Sequence, residues 1–231
     1  MSASGPRPRN PSPRKPSPRK PSPRTKLGRH PERGRYERGE VDAILDAGFY
    51  GHLAFALDGQ PYAMPMLYVR DGDDLYLHGS VKSRLIRNAA DGPPLCFTVT
   101  HVDGLVLARS AFNHSVNYRS AVVLGRARAV TDRAEKLHAM DLLVDHIIPG
   151  RTNDARQAND SELKATEIVA LSIDEASAKV RNGPPGDKSE DLEMPVWTGV
   201  LPLATVAGEP IRAEQSGAPV APEYVRDWSA G

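Results

Sequence analysis

A single cysteine in 231 residues, Cys96, leaves no partner for an intrachain disulfide and no thiolate set for a zinc cluster. It sits in Leu95-Cys-Phe-Thr-Val99, which reads as a buried strand, so an inert core thiol is expected. No apolar run is long enough to cross a bilayer. The first residues carry charge with no apolar segment behind it, so no secretory signal is expected and the chain reads as soluble and cytoplasmic. There is no HExxH pair, no glycine-rich dinucleotide fingerprint on a strand–helix unit and no Gly-x-Ser-x-Gly elbow. His52, His101, His138 and His146 lack metal-ligand spacing. His138 and His146 lie about two helical turns apart, too far for one ion. Metalloenzyme, Rossmann and serine-hydrolase chemistry therefore lack their residues, and no metal site is expected.

Charge is present but divided. Residues 1–38 hold 12 Lys/Arg and 2 Asp/Glu, a net of +10, whereas the remainder holds 18 and 27, a net of −9. The unit Pro11-Ser-Pro-Arg-Lys15 repeats at Pro16 and, truncated, at Pro21. Such a segment has too little apolar surface to offset the entropy of ordering, and its prolines block helix and ladder. Residues 1–34 are therefore expected to form a disordered basic arm, residues 35–205 a globular domain, and residues 206–231 a tail. The repeats are similar to the basic units of histone tails, and dense positive charge suits non-specific contact with nucleic acid. A merely solubilising tail fits the same composition and is the favoured reading.

Within the body, Val41, Ile44 and Leu45 have helical spacing before Gly48. Strands are expected over 49–57 and 62–69 around Asp58-Gly59, then after a turn at Asp71-Gly72. Further strands are expected over 95–102 and 105–108, split by Asp103-Gly104, and over 121–130 and 168–173. Helices are expected over 83–90 and 134–148, the second carrying Leu137, Leu142, Leu143 and Val144 inward, with a short one after 160. From 182 to 194 the chain reads as a meandering loop. The class is mainly β with α: an antiparallel barrel with short flanking helices.

The densest chemistry lies in Leu75-Tyr-Leu-His-Gly-Ser-Val-Lys-Ser-Arg84. A strand runs through small residues into a helix start that carries Ser80, Lys82, Ser83 and Arg84. The macrodipole disfavours cations at a helix start, so Lys82 and Arg84 make sense with a phosphate between them and the helix. A capped surface helix with solvated cations fits the spacing equally well. Three further segments bear on the choice: Tyr62-Ala-Met-Pro-Met-Leu-Tyr68, Asn113-His-Ser-Val-Asn-Tyr-Arg-Ser120, and Lys179-Val-Arg-Asn-Gly-Pro-Pro185 followed by Pro195-Val-Trp-Thr-Gly-Val-Leu-Pro202. In this order, from about Arg35 to Leu203, the chain resembles the FMN-binding split-barrel superfamily of the pyridoxamine 5′-phosphate oxidases. Its nitroimidazole-resistance branch of flavin-binding proteins is the nearer likeness.

That resemblance implies an antiparallel split barrel, FMN as cofactor, and a homodimer with flavin sites at the subunit interface. It implies that Ser80, Lys82, Ser83 and Arg84 hold the phosphate and that Pro65, Leu67 and Tyr68 pass the flavin ring with their main chain. Asn117 and Arg119 are placed to hold ribityl hydroxyls and phosphate. Trp197 is placed to pack beside the ring, in its own subunit or the neighbouring one. His78 is a weak catalytic candidate that also reads as a structural histidine, and Met64 and Met66 read as core for at least one of them. The implied activity is an FMN-dependent oxidoreductase acting on nitroaromatics or related small molecules. Oxidation of pyridoxamine phosphate is disfavoured, because the tail after Pro202 lacks an Arg-x-His pattern. The alternatives are a non-catalytic flavin-binding or sensing module and a deazaflavin- or haem-using split barrel.

Overall fold

A computed structural model describes residues 21–229. In chain order its elements are β1 (Gly34–Arg35), α1 (Arg38–Asp46), β2 (Tyr50–Leu57), β3 (Gln60–Asp71), β4 (Asp74–Ser80), α2 (Arg84–Ala90), β5 (Leu95–Leu107), β6 (Ser115–Gly125), β7 (Ala127–Ala129), α3 (Arg133–Ile147), α4 (Asp160–Ala165), β8 (Thr166–Ser172), β9 (Glu175–Arg181), β10 (Gly199–Pro202) and α5 (Glu223–Arg226). Among the described residues ten strands form one antiparallel path, β1-β9-β6-β5-β2-β3-β4-β8-β7, with β10 added to β5. The two ends of the path do not pair, so the barrel is split rather than closed.

Local chemistry explains the turns. Leu57 pairs with Gln60, which leaves Asp58-Gly59 as a two-residue loop with both residues at positive φ, 52° and 80°. That is the geometry Asp-Gly supplies at least cost between twisted strands. On α3, Asp132 caps the helix by accepting from the Glu135 N–H at 2.8 Å. On α4, Asn159 and Glu162 complete a capping box.

The core has two parts. Inside the barrel, Leu53, Tyr68, Leu75, Leu77, Phe97, Val123 and Leu171 pack together with Val41, Ile44 and Leu45 of α1 and Ile86 and Ala89 of α2. Outside it, Val69, Tyr76, Ile168 and Ala170 pack under Ala139 and Leu143 of α3. β4 and β8 are thus covered on both faces. This is why Leu75-Tyr-Leu and Ile168-Val-Ala-Leu are continuously apolar instead of alternating.

Several expectations change in detail. The strands expected on either side of Asp103-Gly104 are one strand, β5, which passes this point through an irregularity in its register with β6. β6 begins at Ser115, well before the expected 121, and the ladder breaks at Arg126, between β6 and β7. Val144 is 38% exposed; Ala139 and Leu143 are the residues of α3 buried against the sheet, with Met140 and Leu142 packed partly buried beside them. β9 and β10 were not expected; Glu175-Ala-Ser-Ala-Lys-Val-Arg181 alternates polar and apolar residues, a signal passed over, whereas Gly199–Pro202 is too short to show one. Cys96 is half-buried and alternates with the buried Leu95 and Phe97, so it lies on the outward face and not in the core; burial still pushes its thiol pKa up.

Part of the expected arm lies against the body. Ser22 Oγ donates to Glu175 Oε1 at 2.5 Å, Arg24 Nε donates to the same oxygen at 3.1 Å, and Thr25 is 5% exposed. Leu27 N donates to Tyr36 Oη at 3.0 Å, and Gly34 pairs with Lys179. Residues 21–34 therefore lie against the body, tied by one carboxylate and a short ladder that composition does not announce. The rest of the expected arm, residues 1–20, falls outside the described residues. At the other end, Trp228 Nε1 donates to Ile147 O at 2.7 Å and its ring meets Phe49 edge-on at 6.1 Å.

Candidate functional site

The turn after β4 is built by its serines. Ser80 Oγ accepts from Lys82 N at 3.2 Å, and Ser83 N donates to Ser80 O at 2.8 Å. Ser83 stands at the cap position of α2 in extended backbone, yet its hydroxyl makes no capping bond. α2 has only seven residues, so side-chain cations, more than its few N–H groups, supply the field there. Lys82, Arg84 and Arg87 are exposed, and among the described residues none of them meets a carboxylate. Most arginines of the body do: Arg38 with Asp42, Arg70 with Asp46, Arg109 with Asp187, Arg119 with Asp103, Arg128 with Glu135. Three cations within six positions and no counter-charge make a site ready for an anion.

Beside this turn runs an open strand edge. Residues 60–67 of β3 pair with β2 on one side. β4 pairs with β3 only at 68–71, through Asp74 to Leu77, while its whole length from Asp74 to Ser80 pairs with β8 on its other edge. Among the described residues the other edge of 60–67 has no strand partner, so its main-chain groups are available to a ligand. Pro65 and Leu67 lie on this stretch, as the main-chain reading requires. Tyr68 does not: its N–H donates to Phe49 O at 3.1 Å. Its side chain is fully buried, with Oη donating to Leu45 O at 2.5 Å, and burial raises its pKa. Met66 is core at 9% exposure, while Met64, near the open end, is 44% exposed.

His78 lies on β4 opposite Ile168, two residues from Tyr76 and so on the same face. Its Nδ1 is buried without a partner among the described residues, and burial lowers its pKa, favouring the neutral ring. Asn117 and Arg119 are not brought to the Lys82 turn. They sit on β6, three strands from β3 along the path. Asn117 is 5% exposed and ties down the following loop: Oδ1 accepts from Gly183 N at 3.2 Å and from Arg181, and Nδ2 donates to Gly183 O at 3.2 Å. Arg119 is paired with Asp103 at 2.9 Å. Trp197 is 69% exposed and lies over Gly199, where an added Cβ would come within 2.8 Å of the ring.

Sequence reasoning passed over Tyr62 and Arg87. Arg84 lies over the Tyr62 ring, 5.4 Å from its centroid, and Tyr62 is stacked on Phe55 at 5.5 Å. The signal was available: Asp58-Gly59 fixes a hairpin register that sets Phe55 opposite Tyr62.

Residues 37–180 match the family described as pyridoxamine 5′-phosphate oxidase. No curated protein matches the sequence. Among solved structures, the flavocytochrome Anf3 from Azotobacter vinelandii is 39% identical, over 91% of this chain and 99% of its own, with a TM-score of 0.85. The FAD and heme binding protein from Mycobacterium smegmatis is 37% identical, over 86% of this chain and 98% of its own, with a TM-score of 0.81. A candidate 5-nitroimidazole antibiotic resistance protein from Bacteroides thetaiotaomicron shares the fold at 22% identity, over 64% and 86%, with a TM-score of 0.52. With its split ten-stranded barrel and its cationic turn, the chain belongs to the pyridoxamine 5′-phosphate oxidase-like family of flavin-binding split-barrel proteins.

Proposed function

We propose that this chain binds a flavin through its ribityl phosphate, as FMN or within a larger flavin, and works as a redox protein. The observation that carries the reading is the group Lys82, Arg84 and Arg87, without acidic partners among the described residues, beside the open edge of β3. In this reading Arg84 and Lys82 hold the phosphate, the free Ser83 hydroxyl adds a donor, and main-chain groups of 60–67 orient the ring. A bound flavin would supply the electron-transfer chemistry itself. That division of labour agrees with a site lacking a paired acid and base. Reduction of a nitroaromatic is a finer proposal that rests on the sequence resemblance. The 22%-identical structure supports the fold and no activity.

A homodimer belongs to the same proposal. Val102, Leu105, Val116 and Leu201 are 37–51% exposed around β5, β6 and β10, and Trp197 stands beside them. A second copy would cover this surface and could bring one subunit's Trp197 toward the other's flavin turn.

Haem is the second reading. It is favoured by the relatives at 39% and 37% identity, one a flavocytochrome and one an FAD and heme binding protein. Haem iron takes an imidazole as axial ligand. Five of the seven histidines have hydrogen-bond partners: His30, His101, His114, His138 and His146. His52 and His78 have none among the described residues, and His52 is the exposed one, beside Tyr50.

The absorbance spectrum of the purified full chain tests both readings. Oxidised-flavin bands are expected, and an added Soret band supports haem. A colourless protein that also takes up neither FMN nor FAD on titration overturns the flavin reading.

A further inference from the structure

We infer that residues 204–222 form a clasp that closes on a second copy of this chain; this rests on the homodimer proposed above and names the segment that holds it.

The path of the chain makes the first argument. β10 ends where Pro202 pairs with Gly104, and Leu203 N donates to Asp103 O at 3.1 Å. The chain is tied to the body again at α5, where Tyr224 Oη donates to Asp154 Oδ2 at 2.6 Å, and then through Trp228. Between these ties its hydrogen bonds run within the segment. Arg212 donates to Ser216 O at 2.8 Å and to Ala218 O at 3.0 Å, and Ser216 N donates to Ala213 O at 3.0 Å. Val206, Glu209 and Pro210 share a cavity of about 440 Å³ with Arg226 and Trp228, so the outgoing and returning limbs lie side by side. The segment is a loop that doubles back on its own base.

The second argument is exposure. From Leu203 to Val220 every residue but Ser216 is exposed. Val206 is 81%, Ile211 97% and Val220 65% exposed, and none of them belongs to either core cluster. A single exposed aliphatic side chain is ordinary; three on one projecting loop make a contact surface. Pro202, Pro210, Pro219 and Pro222 restrict the loop before anything docks, which lowers the entropy cost of binding.

The partner follows from charge, place and size. Residues 203–222 hold one Arg and two Glu, a net of −1, so neither nucleic acid nor an anionic membrane is attracted. The loop continues β10 directly from the exposed face of Val102, Leu105, Val116 and Leu201. A body that covers this face meets the loop as well. In a two-fold dimer one patch serves both subunits, so each loop lies on the other copy and the contact is made twice. A stable interface takes about 20–30 residues from each side. The sheet face with Trp197 offers five large apolar residues, too few alone, and 203–220 adds eighteen residues.

The test uses the full chain, with mass read by light scattering over a concentration series and flavin content by absorbance. The native chain should be a dimer. Ile211→Asp together with Val220→Asp should raise its dissociation constant about a hundredfold, tenfold for each interfacial side chain made charged. Both residues lie outside the core, so the dissociated variant should keep the native far-ultraviolet circular dichroism. If it does not, replacing residues 211–220 by Gly-Gly-Ser carries the same comparison and keeps the Trp228 tie to Ile147. A native dimer that neither change weakens overturns the clasp and leaves the dimer reading standing. A native chain that is monomeric overturns the clasp and the dimer reading together, and its flavin absorbance judges the flavin reading separately.

Discussion

Arg84 on α2 lies over the ring of Tyr62 on β3, its guanidinium carbon 5.4 Å from the ring centroid. This contact holds the side chain against β3 without spending its charge on a carboxylate. A cation held by an aromatic face keeps its hydrogen-bond donors for an anion. Replacing Lys82 and Arg84 by Ala should therefore weaken FMN binding while leaving riboflavin affinity nearly unchanged. Each lost charge-assisted bond is worth about 1.5–3 kcal/mol. Both residues are exposed, so the melting temperature should hold. Titration of the apo double variant with both ligands decides the matter, and equal loss for FMN and riboflavin would assign these residues to the fold instead.

Tyr68 gives the opposite expectation. Its Oη donates to Leu45 O in the core and joins β3 to α1. Tyr68→Phe leaves that carbonyl buried without its donor and should cost about 1–3 kcal/mol of stability. Flavin affinity should not change, since the side chain faces away from any ligand. Urea unfolding followed by flavin titration checks both halves, and a variant that is fully stable but flavin-free would return Tyr68 to the site.

Glu162 sets an acid limit. The Arg156 guanidinium donates to its carboxylate, and Asn159 N adds a bond, together holding its pKa at about 2, against an ordinary 4.5. A carboxyl whose folded pKa is depressed contributes stability above its unfolded pKa and loses it as pH falls toward the folded value. The contribution should fade between pH 4.5 and 2. The pair is at the surface, so the effect is small and salt-sensitive. Arg156→Ala should flatten the melting temperature over that window and leave it unchanged in shape above pH 6; an identical acid slope in variant and native chain would count against it.

The parts of the fold that were legible in sequence are those governed by short-range chemistry. Asp58-Gly59 announced its hairpin, the periodicity of Val41, Ile44 and Leu45 announced α1, and the strand-to-helix turn after Ser80, with its cluster of exposed cations, could be read from Leu75 to Arg84. What escaped was decided by neighbours distant in the chain. Tyr68 reads as a ligand-lining residue until α1 is placed over it. Asn117 reads as a polar contact for a cofactor until Arg181 and Gly183 arrive to use its amide. Arg119 reads as a free cation until the path of β5 sets Asp103 beside it. The pairing of Glu175 with Ser22 and Arg24 spans 153 and 151 residues, and no local pattern encodes it.

Self-association should follow from the uncovered surface at β5, β6 and β10. Leu201 is 51% exposed on β10 and makes no contribution to either core cluster. Leu201→Arg should leave the monomer folded and place a charge in the dimer interface. Light scattering should give a dimer for the native chain and a monomer for the variant. A native chain that is monomeric and still binds flavin tightly would remove Trp197 from any neighbouring site.

The N-terminal charge yields the last expectation. Residues 1–20 carry six Lys/Arg and no Asp/Glu, whereas residues 21–34 are tied to Glu175 and β9. The two truncations should therefore differ. Removal of 1–20 should leave melting temperature and flavin affinity unchanged. Removal of 1–34 should lower the melting temperature, because it strips the partners of Glu175 and half of the β1 pairing. If the first segment contacts nucleic acid, binding of duplex DNA by the full chain should weaken steeply with salt, with a slope of about −0.9 in log–log terms for each phosphate neutralised. The chain lacking residues 1–20 should then not bind. Fluorescence anisotropy at two salt concentrations makes the comparison. If neither chain binds at low salt, the nucleic-acid reading fails and the solubilising one stands; if both bind alike, the charge responsible lies on the body.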